Sequence, residues 1–562
     1  MSRKQPVIWV LAVALSMAMV AGACGKSSKK TSSGSTEKAT EGGDLVFAAE
    51  QEPDCMDWIA SCSGAAWGVY TVQTNTMPRV FDFTSDSKYK PSVLMASAPE
   101  LTTTPSQKVT YKINPKAVWD DGQPITSHDF KYTWDQIANG KDIYDKTGYE
   151  LITGVDDSDP HTAVVSFKQN YPDWRDLFGG FYGVFPSHLL EGKDRDALMK
   201  DGYQFSGGPW KLDHWTKGQE TKLVPNPKFW GQKPHLASIT FKLQADTAAE
   251  QAAYESGQVS MTYPQAQPGQ EKLKGLPNTS FTAISGLSYE GLWFNASKAP
   301  LTSLKFRQAL AYATDRDAIV KQLFAPVQPD IKRIDSFFTP AFGDAYTTDF
   351  AQYSPVNQSK VDELMTADGW KKGADGIWAK GAQKANVELK TTTGNKRREL
   401  TAQILQSQWK TAGFNMTLTE EKSSVLFGQD APKGNFQVAL YAQTPSSNDP
   451  GQCLLWCSKN IPGPANNNSG QNWTRVTAAS AAPGGIQAMD TPWTAADQEL
   501  DVAKRLDAVK AGAKAVADNI PGLPIDPFPD IIVYNTAKIG GPVTHNFAFG
   551  PWVNANLWFL KK

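Results

Sequence analysis

In "QKVTYKINP", Val109, Tyr111 and Ile113 are apolar and their neighbours polar, and a period of two predicts a half-buried strand. The period then changes. In "SHDFKYTWDQIANG", Phe130, Trp134 and Ile137 recur at helical spacing, which predicts a helix with Ser127 as its N-cap. The "DDGQP" between them is a turn, broken by Gly122 and Pro124. Elsewhere Leu45 to Ala49 reads as a short strand, and "TAAEQAAYESGQVSM" as a helix ending near Gly257. "SLKFRQALAYATDRDAIVKQLF" reads as one amphipathic helix with Phe306, Leu310, Tyr312, Ala313 and Ile319 inward. "VELKTTTGNKRRELTAQILQSQWKTAGFNMTLTE" reads strand, loop, helix, strand, a βαβ-like unit that points to an α/β lobe. "ELDVAKRLDAVKAGAKAVADNIPGLPI" is a long helix stopped at Pro521-Gly522, and "DIIVYNTAKIGG" a further strand.

The opening strand–turn–helix carries Asp120, Asp121, His128 and Asp129, residue types that also build metal and acid/base sites. Their positions give each a structural role. Asp beside a Gly turn bonds its own backbone, and Asp in a helix's first turn meets the positive end of the helix dipole.

A chain of 562 residues exceeds what one core needs, so two or more lobes are expected. With 56 Lys and Arg against 57 Asp and Glu, the net charge of -1 gives no basic face for nucleic acid. No GxxxxGK[ST] phosphate loop, G-x-S-x-G elbow or H-E-x-x-H pair occurs, which argues against an ATPase and a secreted hydrolase and for a protein that is not an enzyme.

The N-terminus has the three parts of a secretory signal: "MSRK", the apolar run "VIWVLAVALSMAMV", and "AGAC". Small residues directly before Cys24 resemble a bacterial lipobox, which implies a signal peptide over 1–23 and a lipid on Cys24. Residues 24–43, mostly Ser, Gly, Thr and Lys, read as a flexible linker that holds the body off the outer face of the membrane. An exported protein meets an oxidising compartment, so disulfides are expected within the close pairs Cys55/Cys62 and Cys453/Cys457. Zinc would need two more ligands beside each pair, and the six His are scattered, so no metal and no cofactor is expected.

Five blocks resemble, in order, the family 5 extracellular solute-binding proteins of ABC importers, the dipeptide and oligopeptide group. They are "VTYKINPKAVWDDGQPITSHDFKYTWDQI", "SGGPWKLDHWTKGQETKLVPNPKFWGQKPHLASITFKL", "LWFNASKAPLTSLKFRQALAYATDRDAIV", "SKVDELMTADGWKKGADGIW" and "VADNIPGLPIDPFPDIIVYN". The resemblance implies an α/β, two-lobed periplasmic-binding-protein-like fold with an extra small subdomain. Lobe 1 would comprise 44–78, 203–288 and 521–562, the subdomain 79–202, and lobe 2 289–520. It also implies a monomer that closes over a peptide or other small solute and delivers it to a permease and ATPase.

The family's peptide anchors are missing. Counting back from Asp449-Pro450, the acidic position holds Ser446, the Trp position Gln443 and the Arg position Leu440. A buried ammonium without an opposing charge is costly. The alternatives are therefore a peptide held by other groups, an uncharged oligosaccharide, or another solute such as a metal chelate. The expected ligand-binding residues are Gln443, Thr444, Ser446 and Ser447 from lobe 2, and Trp67 from the lobe 1 loop "CSGAAWGVY".

A Cys24→Ala chain is expected to stay unprocessed or leave the membrane, whereas the wild type partitions into detergent. Equal partitioning of both would refute lipid attachment.

Overall fold

The computed structural model describes residues 38–60, 62, 69–84, 88–180, 182–445, 449–466, 468–546 and 550–562. Cys24, Trp67, Ser446 and Ser447 lie outside the described residues.

Two large sheets organise the chain from Ala39 to Lys562. The first contains β1 (Asp44–Ala49), β2 (Trp210–Thr216), β3 (Glu220–Pro225), β4 (Ser238–Leu243), β5 (Met261–Thr262), β6 (Thr279–Ser285) and β12 (Pro529–Asn535), in the order β6-β12-β5-β1-β4-β3-β2. The second contains β7 (Tyr289–Phe294), β8 (Asn386–Thr392), β9 (Asn415–Glu421), β10 (Val438–Gln443) and β11 (Gly522–Asp526), in the order β9-β8-β10-β7-β11. A four-stranded sheet (Glu100–Thr102, Lys108–Lys112, Ile152–Asp159 and Thr162–Phe167) belongs to the segment between β1 and β2.

The alternation in β1 divides the interior. Leu45, Phe47 and Ala49 enter a core shared with the four-stranded sheet and the C-terminal Trp552 and Trp558. Ala48 and Val46 face a second core, which runs through the second sheet. β7 is buried along its whole length, as a strand covered on both faces must be. The helix expected before Gly257 forms as α2 (Thr247–Glu255), and the βαβ unit forms as read: β8 and β9 pair in parallel, joined by α5 (Lys396–Ala412).

Local structure departs from the sequence reading in four places. Thr126, not Ser127, caps α1 (Ser127–Asn139), forming a reciprocal capping box with Asp129. The single helix expected over 304–324 is two, α3 (Leu304–Tyr312) and α4 (Arg316–Leu323), because Asp315 caps the second by accepting from the Ala318 N–H. Gly522–Asp526, placed by sequence with lobe 1, pairs with β7 in the second sheet. The linker ends before Gly43: Glu41 meets His235 at 2.7 Å and the Gly42 N–H donates to the His235 carbonyl at 2.7 Å.

Two buried arginines explain the "FRQALAYATDRD" block. Arg307 donates to the carbonyls of Leu301, Ser480, Asn519 and Ile520, closing the end of α7 (Val502–Asn519). Arg316 donates to the carbonyls of Ile334, Phe350 and Pro524 and to Asp335. Both organise backbone, and neither is a candidate for ligand contact.

The acids of the first motif are structural as well. Asp129 is buried and accepts from the Thr126 N–H, the Trp119 indole, and both the N–H and hydroxyl of Ser187. Asp120 pairs with Lys211 and accepts from the Ser206 N–H at 2.8 Å. Asp121 closes the turn by accepting from the Gln123 N–H and also meets His188. His128 sits on the surface between Asp157 at 2.7 Å and Glu191 at 3.0 Å. Asp129→Ala is expected to lower stability by about 3 kcal/mol, the scale of losing hydrogen bonds to one buried charge. Denaturant unfolding checks this; a loss near zero would show that the turn and helix start hold without Asp129.

Candidate functional site

Chain passes between the two sheets at Ser285–Tyr289 and at Asp526–Pro529. Glu290 and Asp526, at these passages, are buried acids, and α5 begins beside them with Arg397 and Arg398. Two cations at a helix N-terminus oppose the helix dipole, so they need acidic partners. Arg398 donates through Nε to Glu290 at 2.6 Å and through Nη1 to the Thr392 hydroxyl at 2.7 Å. Arg397 pairs with Glu290, donates to the Gln265 amide oxygen at 3.2 Å, and lies 4.5 Å over the Phe528 ring. Asn395, the N-cap of α5, also donates to Gln265. Gln265 follows β5 of the first sheet, so these bonds tie the first sheet's loop to the second sheet's helix.

Burial controls the charges here. It pushes the Arg397 guanidinium down to about 9, helped by its neighbour Arg398. It pushes Asp526 up to about 7, against the pull of the two arginines. The set is a charged floor where the lobes meet.

β10 runs beside this set, with Ala442 opposite Glu290. Tyr441, near the end of β10, stacks on Trp293 with ring centroids 5.0 Å apart, and packs edge-on to Phe427 at 5.5 Å. Burial pushes its hydroxyl up, and Tyr144 and Tyr289 add to the shift, while a hydrogen bond with the Gln443 side chain lowers it. Tyr144 belongs to the segment carrying the four-stranded sheet, so Tyr441 is where that segment approaches the second sheet. Nearby the Ser423 hydroxyl reaches Asp54, in the loop after β1, at 3.5 Å.

Disulfides join Cys55 to Cys62 and Cys453 to Cys457, with Cα atoms 5.9 Å and 4.8 Å apart. The first lies in the loop after β1, the second in the segment after β10. Of the residues expected to bind ligand, Gln443 ends β10 opposite Tyr289 and Thr444 follows it; both are half-buried. The sequence reading missed Tyr441, Tyr144 and the Glu290–Arg397–Arg398–Asp526 set. The doubled arginine at a helix start was the signal available for the last.

The protein-family model described as bacterial extracellular solute-binding proteins, family 5 Middle, matches residues 90–462. The oligopeptide-binding protein AppA of Bacillus subtilis is 26% identical over 466 residues, covering 78% of this chain and 81% of that protein. The solved structure of AppA from Bacillus subtilis with a nonapeptide superposes with a TM-score of 0.81 at 21% identity, covering 93% of this chain and 100% of the other. A periplasmic EDTA-binding protein, EppA, superposes with a TM-score of 0.79 at 20% identity, covering 94% and 98%.

A carboxyl raised by burial favours folding most below its unfolded value of about 4, and that contribution is lost as pH climbs to and through the raised value. Asp526→Asn keeps the shape and removes the ionisation. The fall in melting temperature from pH 5 to pH 8 should therefore be smaller in this variant than in the wild type. An identical fall in both would show that the two arginines keep Asp526 ionised throughout.

Proposed function

The chain belongs to the bacterial extracellular solute-binding proteins, family 5, and is a solute-binding component of an ABC importer; from that premise we propose that its solute is a peptide held without an ionic clamp on its amino terminus. The observation that carries this reading is the end of β10, where Gln443 and Thr444, both half-buried, offer neutral hydrogen-bonding groups beside the buried Tyr441–Trp293 stack. The oligopeptide binding named for the Bacillus subtilis relative supports the ligand class. The sequence places Leu440, Gln443 and Ser446 where peptide binders of the family carry charged or Trp anchors.

In this reading the lobes bend at the two passages beside Glu290 and Asp526. Segments 44–78, 203–288 and the chain from Pro529 on, with 79–202 attached, move against 289–526, with the crossing after β11 at Pro527–Phe528. Trp67, from the loop after β1, and Ser446 and Ser447, after β10, are the further ligand contacts proposed from the sequence. The protein binds its ligand as a monomer and releases it unchanged to the permease. It is held at the outer membrane face through lipid on Cys24 after removal of residues 1–23.

Isothermal titration with matched pools of pentapeptides, amino termini free or acetylated, tests the ligand claim. Both pools are expected to bind within about threefold of each other, and affinity to change little with salt, since salt weakens mainly charge pairs. Loss of binding on acetylation would place an ionic anchor in the cleft. Binding of metal chelates and of neither peptide pool would favour the chemistry named for the EDTA-binding relative.

A further inference from the structure

Away from the charged floor, a second ionic cluster joins the two cores. Asp173 stands between Tyr171 and Trp174, both packed in the core of the four-stranded sheet. Its partners belong to the other core's elements. Arg505 lies in the first turn of α7, Asp497 ends α6 (Gln487–Ala496), and Asp449 follows β10. Arg505 engages Asp449 with both Nη atoms, the Nη1 to Oδ2 bond being 2.9 Å, and Nη2 also meets Asp173. Its Nε donates to the Ala496 carbonyl at 2.8 Å, which fixes the guanidinium plane. The Asp173 and Asp449 carboxyls thus meet on the same Arg505 Nη2.

Gly451 makes the room. A Cβ there would stand 2.5 Å from Asp173 Oδ2, 3.0 Å from Arg505 Nη2 and 3.1 Å from Asp497 Oδ1. Its lack of a side chain lets three carboxyls converge on one arginine. The charged and titratable groups around the cluster are Tyr171, Asp173 and Asp176 on one side, and Asp449, Lys459, Asp497 and Arg505 on the other. Three close acids against one arginine leave surplus negative charge, and two carboxylates meeting on one guanidinium nitrogen favour holding a proton between them.

We propose that the Asp173–Asp449–Arg505 cluster is a proton-linked latch: closing the lobes draws one proton from solvent into the carboxyl pair, and opening returns it. The proposal rests on the reading that the lobes close over a ligand. Burial, then the Asp449 charge, raise Asp173 far above the usual carboxylate range. Burial pushes Asp497 up to about 7. For Asp449 burial is outweighed by the Asp173 hydrogen bond and the guanidinium, which hold it low. Separated in water, Asp173 returns to an ordinary carboxyl near 4. The closed state therefore binds more protons, so closure is favoured at low pH and weakens as pH climbs through the raised values. Capture gains in acid and release gains in alkali.

Single-molecule energy transfer tests this on the full chain carrying Cys24→Ala, with fluorophores on cysteines introduced at exposed Lys168 and Lys410. From pH 6 to pH 9 the closed-to-open ratio is expected to fall about threefold or more. Asp173→Asn mimics the protonated acid and should respond to pH clearly less than the wild type across that range, keeping only the contribution of Asp497. Gly451→Ala forces the carboxyl out and should lower the closed fraction at every pH. A wild type with no pH response, a response equal in Asp173→Asn, or a wild-type closed fraction in Gly451→Ala would each overturn the latch. Circular dichroism of each variant separates these results from misfolding. Closure on adding pentapeptides without any pH response would reject the latch and leave the peptide-binding reading standing.

Discussion

Glu290 shared between Arg397 and Arg398 is the interaction on which the arrangement turns. It sits where chain leaves the first sheet for the second, on a strand buried along its length. Removing one partner of a buried ion pair leaves a charge that water cannot reach, and typically costs about 3–5 kcal/mol. The register of β7 against β10 and β11, the start of α5, and the reach of Arg397 to Gln265 all meet at this point. A fold that bends here keeps its two cores intact, because few side chains must repack when only the passages between sheets change.

The cores themselves were readable from the chain. Leu45–Ala49 reads as a short apolar strand, the alternation in Lys108–Lys112 specifies one buried face, and the strand–helix–strand period of 386–421 specifies a parallel unit. The first motif's acids were readable too, because turn and helix-start positions use Asp for local backbone bonds. The break between α3 and α4 was hidden, since apolar positions continue at helical spacing across Ala313–Asp315. The assignment of β11 was hidden as well: two apolar runs divided only by Pro527-Phe528 give no sign that they enter different sheets.

Long-range charge pairing was the least legible part. Glu290 and Arg398 lie 108 positions apart, and Asp173 and Arg505 lie 332 apart. Single residues show their type but not their partners, and only the doubled arginine at a helix start carried a local conflict with the dipole. For the same reason Gln443 was singled out as a candidate contact only by counting back from Asp449-Pro450. Tyr441, two residues earlier, is a core aromatic, and its contact with Trp293 crosses 148 positions of chain.

The central claim is that this family member captures a peptide between its lobes. Native mass spectrometry of the purified protein mixed with a tryptic digest reads it directly. The account predicts one-to-one complexes carrying peptide masses, released when the protein is unfolded. The bare protein mass alone, in the presence of the digest, would contradict it.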